Sequence, residues 1–433
     1  MQKRYCPALL LSAPGSNHGK TTVTAALARH HRNQGRNVRV FKTGPDFLDP
    51  TILEQASGQP VYQLDLWMTG EIECQNLLCT AADEADVILI EGVMGLFDGV
   101  PSSADVAERF NVPVVAVINA ASMAQTFGAI AHGLATFQPR VPFAGVFANN
   151  IASTRHAEMI VQGMPSDIAY LGGLARNDEW SLPSRHLGLV QAGEIDDLDA
   201  SLNRVAEAIA VFDVASLPAT VEFMPSAPQT PPRLLSNTRI AVAQDAAFSF
   251  IYAANLDLLR AMGARLTFFS PLNDSELPDA DSIYLPGGYP ELHLARLGAN
   301  TAMKASLRKH FSESKPIYAE CGGMLYLLES LTDQHGAHAE MVGILAGTAI
   351  MQTKLVGLGY QTATLPGGDM RGHTFHHSRL EMSIDPFSHA TCLHNTSPGE
   401  ALYRVKNLLA SYLHFYFPSN PVAAAQLFRH EPI

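Results

Sequence analysis

Positive charge is in short supply in this sequence. The chain has 29 lysines and arginines against 41 aspartates and glutamates, a formal net charge of −12. A chain this acidic makes a poor general ligand for nucleic acid or an anionic membrane, so neither is an expected partner. An anionic substrate would need a local basic cluster or a metal ion. Cysteines number five (Cys6, Cys74, Cys79, Cys321 and Cys392), with no CxxC pair among them. This argues against a disulfide framework or a zinc ribbon and makes a reducing cytoplasm the expected setting. No apolar run approaches the roughly 18–20 residues of a membrane span. Internal repeats and low-complexity tracts are also missing. Lys3-Arg4 and residues 7–13 bear a faint likeness to a secretory leader. A first buried strand is the preferred reading, because a phosphate-binding sequence follows at once.

The chain has 433 residues, 47% of them apolar and 16% charged. That is a globular composition, with length for two or three domains. Short apolar runs at residues 8–12, 38–41, 87–90, 113–118 and 141–147 alternate with stretches long enough for crossover helices. This is the pattern of an α/β fold with a parallel sheet covered on both faces. A second such series occupies residues 239–243, 265–269, 282–285 and 316–319. Between the two, prolines 218, 225, 228, 231 and 232 mark an inter-domain linker. The expected domains are therefore 1–215 and 238–433, joined by a linker at 216–237.

The first run leads into Ala13-Pro14-Gly15-Ser16-Asn17-His18-Gly19-Lys20-Thr21-Thr22 and then a helical stretch at 23–31. Between a strand and a helix, such a loop surrounds phosphate oxygens with backbone N–H groups. Its lysine neutralises them, and its threonine hydroxyl suits Mg²⁺. Pro14 stands where the strict P-loop pattern has its first glycine, so this is a variant. Residues 15–22 are the expected nucleotide site. Two acidic motifs follow later strands: Lys42-Thr43-Gly44-Pro45-Asp46-Phe47-Leu48-Asp49-Pro50, and residues 91–99 from Glu91 to Gly99. Glu91 is the carboxylate such a fold places opposite the loop, and Mg²⁺ needs oxygen ligands. Thr21, Asp46 and Glu91 are the expected metal ligands. Asp46 and Asp98 fit either metal binding or orientation of an acceptor.

In the second half, the strand at 316–319 runs into Glu320-Cys321-Gly322-Gly323 and a helix-like stretch at 325–331. A nucleophile on a sharp strand-to-helix turn needs small neighbours, and a helix N-terminus favours thiolate. Gly287 and Gly288, in a turn after the preceding strand, and Gly322 are the expected oxyanion donors. His414 is the preferred base, with the cluster at 371–378, including His373, His376 and His377, as rivals. His376 and His377 also suit a metal, but the sequence shows no acidic or cysteine partner near them.

At these residues the chain resembles the a,c-diamide synthases of cobalamin biosynthesis, the cobyrinate enzymes and the closely similar hydrogenobyrinate enzymes. The motifs are Gly-Lys-Thr-Thr, 42–50, 91–99, Arg155-His156, 182–189, Asn255-Leu256-Asp257, 285–291, 320–323, 371–378 and 411–414, in order along nearly the whole chain. The resemblance implies a domain like dethiobiotin synthetase followed by a class I glutamine amidotransferase domain. ATP and Mg²⁺ would activate substrate carboxylates as acyl phosphates, and ammonia from glutamine would displace the phosphate. Cys321 would be the nucleophile, His414 its base, and the a- and c-acetates of hydrogenobyrinate or cobyrinate the acceptors. Asp46, Phe47, Leu48 and Asp98 would meet or orient the acceptor. Arg155, Arg176 and Arg185 fit either substrate contact or structural ion pairs. The stretch Gln63–Met68 is similar to versions from aerobic-pathway bacteria and leans toward the metal-free macrocycle. Two departures stand out. Ala13-Pro14 replaces the family's usual Gly-Thr. Tyr416 stands where many class I amidotransferases carry an acid, which leaves a Cys–His dyad or a third member elsewhere. Rival readings are an adenosylcobyrate synthase type, a nickel-tetrapyrrole amidase, and a partitioning ATPase with an inactive amidotransferase domain. A homodimer is an open option.

Overall fold

The computed structural model describes residues 3–177, 180, 183–185, 188–226, 230–394 and 397–429. It divides into two compact units, Met1–Pro228 and Gln229–Ile433. Among the described residues no helix is long and apolar enough to cross a membrane.

In the first unit β1 (Arg4–Ser12), β2 (Val38–Thr43), β3 (Tyr62–Leu64), β4 (Val87–Glu91), β5 (Val114–Asn119), β6 (Phe143–Ile151) and β7 (Tyr170–Ala175) form one sheet in the order β3-β2-β4-β1-β5-β6-β7. All neighbours in that order are parallel. Strand β1 is central and buried on both faces, hence its continuous apolar sequence. Leu9 and Leu11 enter the core on one side, with Val23 and Leu27. Ala8 and Leu10 enter the other, with Ile88 and Ile90. A two-stranded ribbon of β8 (Ser184–Arg185) and β9 (Gly188–Leu189) follows. Then β10 (Thr220–Phe223) runs antiparallel to residues 4–7 of β1. Part of the stretch expected as linker is thus a strand of the first unit.

The second unit is built on β11 (Arg239–Ala243), β12 (Arg265–Phe269), β13 (Ser282–Leu285) and β14 (Ile317–Glu320), parallel in the order β12-β11-β13-β14. Strand Leu408–Ser411 adds in parallel to β14. Antiparallel strands then extend the sheet to Gly368–His376 and the short edge strand His414–Phe415. The helical reading of 325–331 needs correction. The helix is Gly322–Leu327, and Leu328–Thr332 is a strand of a smaller four-stranded sheet. Asp333–Gly336 turns that strand back against His338–Glu340. This pairing overrides the helical preference of the leucines.

Candidate functional site

Each unit brings one cluster of chemically able side chains to the carboxyl ends of its parallel strands, where open α/β sheets bind ligands. In the first, β1 turns through residues 13–19 into helix α1 (Lys20–Asn33). Gly19 closes the turn at φ 88°, and a Cβ there would lie 2.0 Å from Asn149 Nδ2, so only glycine fits. The loop is pinned from β5 and β6. The Asn119 N–H donates to His18 Nδ1 (2.9 Å), and Asn149 Nδ2 donates to the His18 carbonyl (3.1 Å). Burial and then Lys20 hold His18 below the usual imidazole range. Lys20 Nζ donates to the carbonyls of Gly15 (2.9 Å) and Met94 (2.6 Å). Burial and then the Lys42 charge lower its pKa to about 8. Ser16 and Asn17 are exposed on the loop, while Thr22 begins the helix behind Thr21.

Thr21 Oγ1 donates to Glu91 Oε1 at 2.6 Å. Glu91 is fully buried, and its Oε2 has no hydrogen-bond partner among the described residues. Beside it lies Lys42, 2% exposed, with Nζ 2.8 Å from Asp49 Oδ2, 3.3 Å from Glu91 Oε1 and 3.6 Å from Asp46 Oδ2. Burial disfavours the ammonium, but the three carboxylates outweigh it and push the Lys42 pKa up. Burial and the adjacent Asp49 raise Asp46 to about 8. Burial opposes ionisation of Asp49 too, yet Lys42 pulls it below the usual range. Asp46 Oδ1 also accepts from the N–H groups of Leu48 (2.8 Å) and Asp49 (3.2 Å), fixing the start of α2 (Asp49–Ser57). Among the described residues no three His, Cys, Asp or Glu side chains are arranged to hold a metal by themselves. A hydroxyl, carboxylates and an unsatisfied Glu91 oxygen nevertheless suit Mg²⁺, which takes only one or two carboxylates beside substrate phosphates.

The other expected residues of this unit are more dispersed. Asp98 Oδ2 accepts from Gly95 N–H (2.9 Å) in the loop after β4, and its charge acts on Lys20. Phe47 is half-buried and Leu48 buried in the same turn as Asp46. Arg155 is exposed on the helix after β6, and Arg176 is exposed after β7. Arg185 is placed by its backbone in β8, whereas Leu182, His186 and Leu187 lie outside the described residues.

In the second unit β14 ends at Glu320 and the chain turns sharply at Cys321, φ 41° and ψ −107°. A cysteine held in this disfavoured region is a strained elbow. Its neighbours are small by necessity. A Cβ on Gly322 would lie 2.9 Å from Gly288 N, and one on Gly323 would lie 2.2 Å from Leu285 O. A Cβ on Gly287 would lie 2.2 Å from His414 Cε1. The Gly287-Gly288 turn therefore touches the histidine on one side and the elbow on the other. Burial first, then Glu291, pushes the Cys321 thiol up, against help from Gly322 N–H. Glu291 is itself raised to about 7 by burial.

His414 is 1% exposed, and the His373 ring stacks on it with centroids 5.2 Å apart. Burial and His414 hold His373 well below the usual imidazole range, and Tyr252 Oη is 3.0 Å from its Nδ1. The local sequence offers His376 no acidic partner. The fold supplies one from a distant strand: its Nε2 is 3.0 Å from Glu400 Oε1, and its ring stacks on Tyr412 at 3.5 Å. Cys321 lies close enough to Tyr412 to raise its pKa further, after burial.

Residues 9–190 match the model of the CobQ/CobB/MinD/ParA nucleotide binding domain, and residues 239–422 match that of the CobB/CobQ-like glutamine amidotransferase domain. The chain is 58% identical over 429 residues to a hydrogenobyrinate a,c-diamide synthase of Stutzerimonas stutzeri, covering 99% of this chain and 100% of that one. It is 57% identical to the hydrogenobyrinate a,c-diamide synthase of Pseudomonas aeruginosa, over 99% and 98% of the two chains. The chain belongs to the a,c-diamide synthase family. A cobyrinate a,c-diamide synthase of Herminiimonas arsenicoxydans is 49% identical over 98% of this chain and 97% of its own.

For this a,c-diamide synthase family member, two features escaped sequence reading. Lys42 was seen only as part of a motif, although it is the cation that three carboxylates share. A lysine in an otherwise buried strand was the available signal. Glu320 was seen only as a neighbour of Cys321, although it is buried and accepts from Tyr284 Oη (2.9 Å), Tyr318 Oη (2.7 Å) and Phe415 N–H (3.1 Å). A glutamate ending a buried strand was the signal there.

Proposed function

We propose that the protein is a carbon–nitrogen ligase of cobalamin biosynthesis. It amidates the a- and c-acetate carboxylates of hydrogenobyrinate or cobyrinate with ATP as activator and glutamine as nitrogen donor. The reading is carried by the presence, on one chain, of a phosphate loop backed by Thr21 and Glu91 and of a strained cysteine elbow sharing a glycine turn with a buried histidine. The full-length likeness to enzymes of that name supports it.

A carboxylate resists attack by ammonia until an oxygen is converted to a leaving group. In the first unit a substrate carboxylate oxygen attacks the γ-phosphorus of ATP, and ADP departs. Backbone N–H groups of 15–22 and the Lys20 ammonium hold the phosphates. Thr21, Asp46 and Glu91 are the residues that would hold Mg²⁺, which supplies neutralisation of the developing phosphate charge. Asp46, Phe47, Leu48 and Asp98 orient the acceptor, and Arg155 and Arg185 meet substrate carboxylates. In the second unit Cys321 gives its proton to His414 and its sulfur attacks the glutamine amide. The oxyanion is met by the N–H groups of Gly287, Gly288 and Gly322. The proton returns to the departing ammonia, and water releases glutamate from the thioester. Ammonia displaces phosphate from the acyl phosphate and gives the amide.

Incubation of the purified protein with ATP, Mg²⁺, glutamine and each macrocycle tests this, with products read by mass spectrometry. A diamide is expected. If neither macrocycle is amidated, the reading fails. The metal-free macrocycle is the favoured acceptor, because the 57–58% identical relatives carry the hydrogenobyrinate name and the cobyrinate-named one is 49% identical.

A further inference from the structure

We infer that Glu320, the residue before the nucleophile, is the acidic positioning residue of the glutaminase site, taking the place that Tyr416 cannot fill. The inference rests on the reading of Cys321 and His414 given above. Glu320 Oε2 lies 3.7 Å from His414 Nδ1, and the two side chains are 2% and 1% exposed. Burying a carboxylate is costly unless donors compensate. Here Tyr284, Tyr318 and the Phe415 N–H fix both oxygens. Tyr318 and Glu320 share a face of β14 by strand alternation, and Tyr284 sits beside Tyr318 in the register of β13. The same carboxylate ties down the backbone of the residue after His414, so the acid and the base form one unit.

Proton transfer from Cys321 to His414 creates an imidazolium. A carboxylate at Nδ1 stabilises that cation and leaves Nε2 to act as base. A gap of 3.7 Å is longer than a hydrogen bond. Closing it takes a movement of about 0.7–1 Å, of the kind that accompanies substrate binding. His373 stacks on the imidazole face, and Tyr252 lies at its Nδ1, so it is poorly placed to serve as the orienting acid. Tyr416, two residues beyond His414, carries no charge to offer. The acid has in effect moved from the histidine segment to the cysteine segment, reaching Nδ1 from the other strand.

The test compares Glu320→Gln and Glu320→Asp with the parent in glutamine hydrolysis, ammonium-supported amidation and the rate of Cys321 alkylation by iodoacetamide. For Glu320→Gln, kcat for glutamine is expected to fall about 10²–10⁴-fold, as when a triad carboxylate becomes an amide. KM should stay within about threefold, since no contact to glutamine is removed. Alkylation should slow at least about tenfold, because the thiolate–imidazolium pair loses its stabilising charge. Ammonium-supported amidation should persist, and Glu320→Asp should recover part of the loss. A Gln variant that keeps more than a third of the parental kcat overturns the inference. So does one that loses kcat with its alkylation rate unchanged, which marks a purely structural role. If Glu320→Gln does not fold, Tyr284→Phe removes one donor from Oε2 while keeping the carboxylate. It should lower kcat for glutamine at least about threefold with ammonium-supported activity intact, and an unchanged kcat overturns the inference. Failure of the glutaminase reading itself would look different: Cys321→Ala would then match the parent with glutamine.

Discussion

Replacing Lys42 with methionine removes the ammonium that lies 3.6, 2.8 and 3.3 Å from Asp46, Asp49 and Glu91, while roughly preserving side-chain volume. Deleting one member of a buried ion pair costs about 3–5 kcal/mol, because the other charge is left uncompensated. In a unit of this size each kcal/mol lowers Tm by about 2–4 °C. The expected drop in the first unit's transition is therefore about 6–20 °C, read by scanning fluorimetry at pH 7.5. The sign of its pH dependence follows from the carboxylates. The penalty comes from the carboxylate that Lys42 holds ionised, Asp49 above all, so the gap between variant and parent should narrow at pH 5 as acid neutralises it in the variant. A Tm within about 2 °C of the parent, or a gap that widens on acidification, refutes the reasoning. The parent has its own signature. Asp46, raised to about 8, favours folding below its unfolded pKa, and that contribution is lost as pH rises through about 8. Parental stability should thus decline between about pH 5 and 8 more steeply than in Asp46→Asn, and the two should run parallel above about pH 9.

Other perturbations separate the two half-reactions. Cys321→Ala should lose glutamine-dependent amidation by at least about 10³-fold while ammonium still supports it, whereas Lys20→Ala should lose amidation with either nitrogen source. Loss of both activities in Cys321→Ala would count against two separable sites. Gly287→Ala places a methyl 2.2 Å from His414 Cε1. It should depress glutamine hydrolysis and spare ammonium-supported turnover, as steady-state assays with each donor would show. Glu291→Gln removes the charge that, after burial, most raises the Cys321 thiol. Iodoacetamide should then alkylate Cys321 faster at pH 8, and an unchanged rate would show that Glu291 does not act on the thiol.

The parallel cores were legible because their strands are short apolar runs, most of them buried. Residues 239–243, 265–269 and 282–285 are strands over those residues. The antiparallel extension at 357–405 was not read, because half-exposed strands such as Gly357–Leu365 mix polar and apolar residues and take their identity from cross-strand partners. The same limit explains residues 328–332, where a hairpin decided against a leucine-rich local preference. At the sites, glycine-bounded motifs announced the phosphate loop and the elbow. The partners of those motifs did not announce themselves. Glu400 beside His376, and Tyr284 and the Phe415 N–H beside Glu320, come from strands remote in sequence, and only the fold assembles them; Tyr318, two residues before Glu320, is the one local donor.

The strand β10 bears on how the protein can be divided for study. It pairs with Arg4–Pro7, the stretch of β1 that precedes the pairing with β4 and β5. A fragment ending at residue 215 would strip that partner away and leave a bare edge of unpaired amides, a template for aggregation. The boundary most natural to read from composition is therefore the wrong place to cut. A fragment that keeps Thr220–Phe223 carries its own edge protection, and is the one with which to ask whether carboxylate activation proceeds without the amidotransferase half.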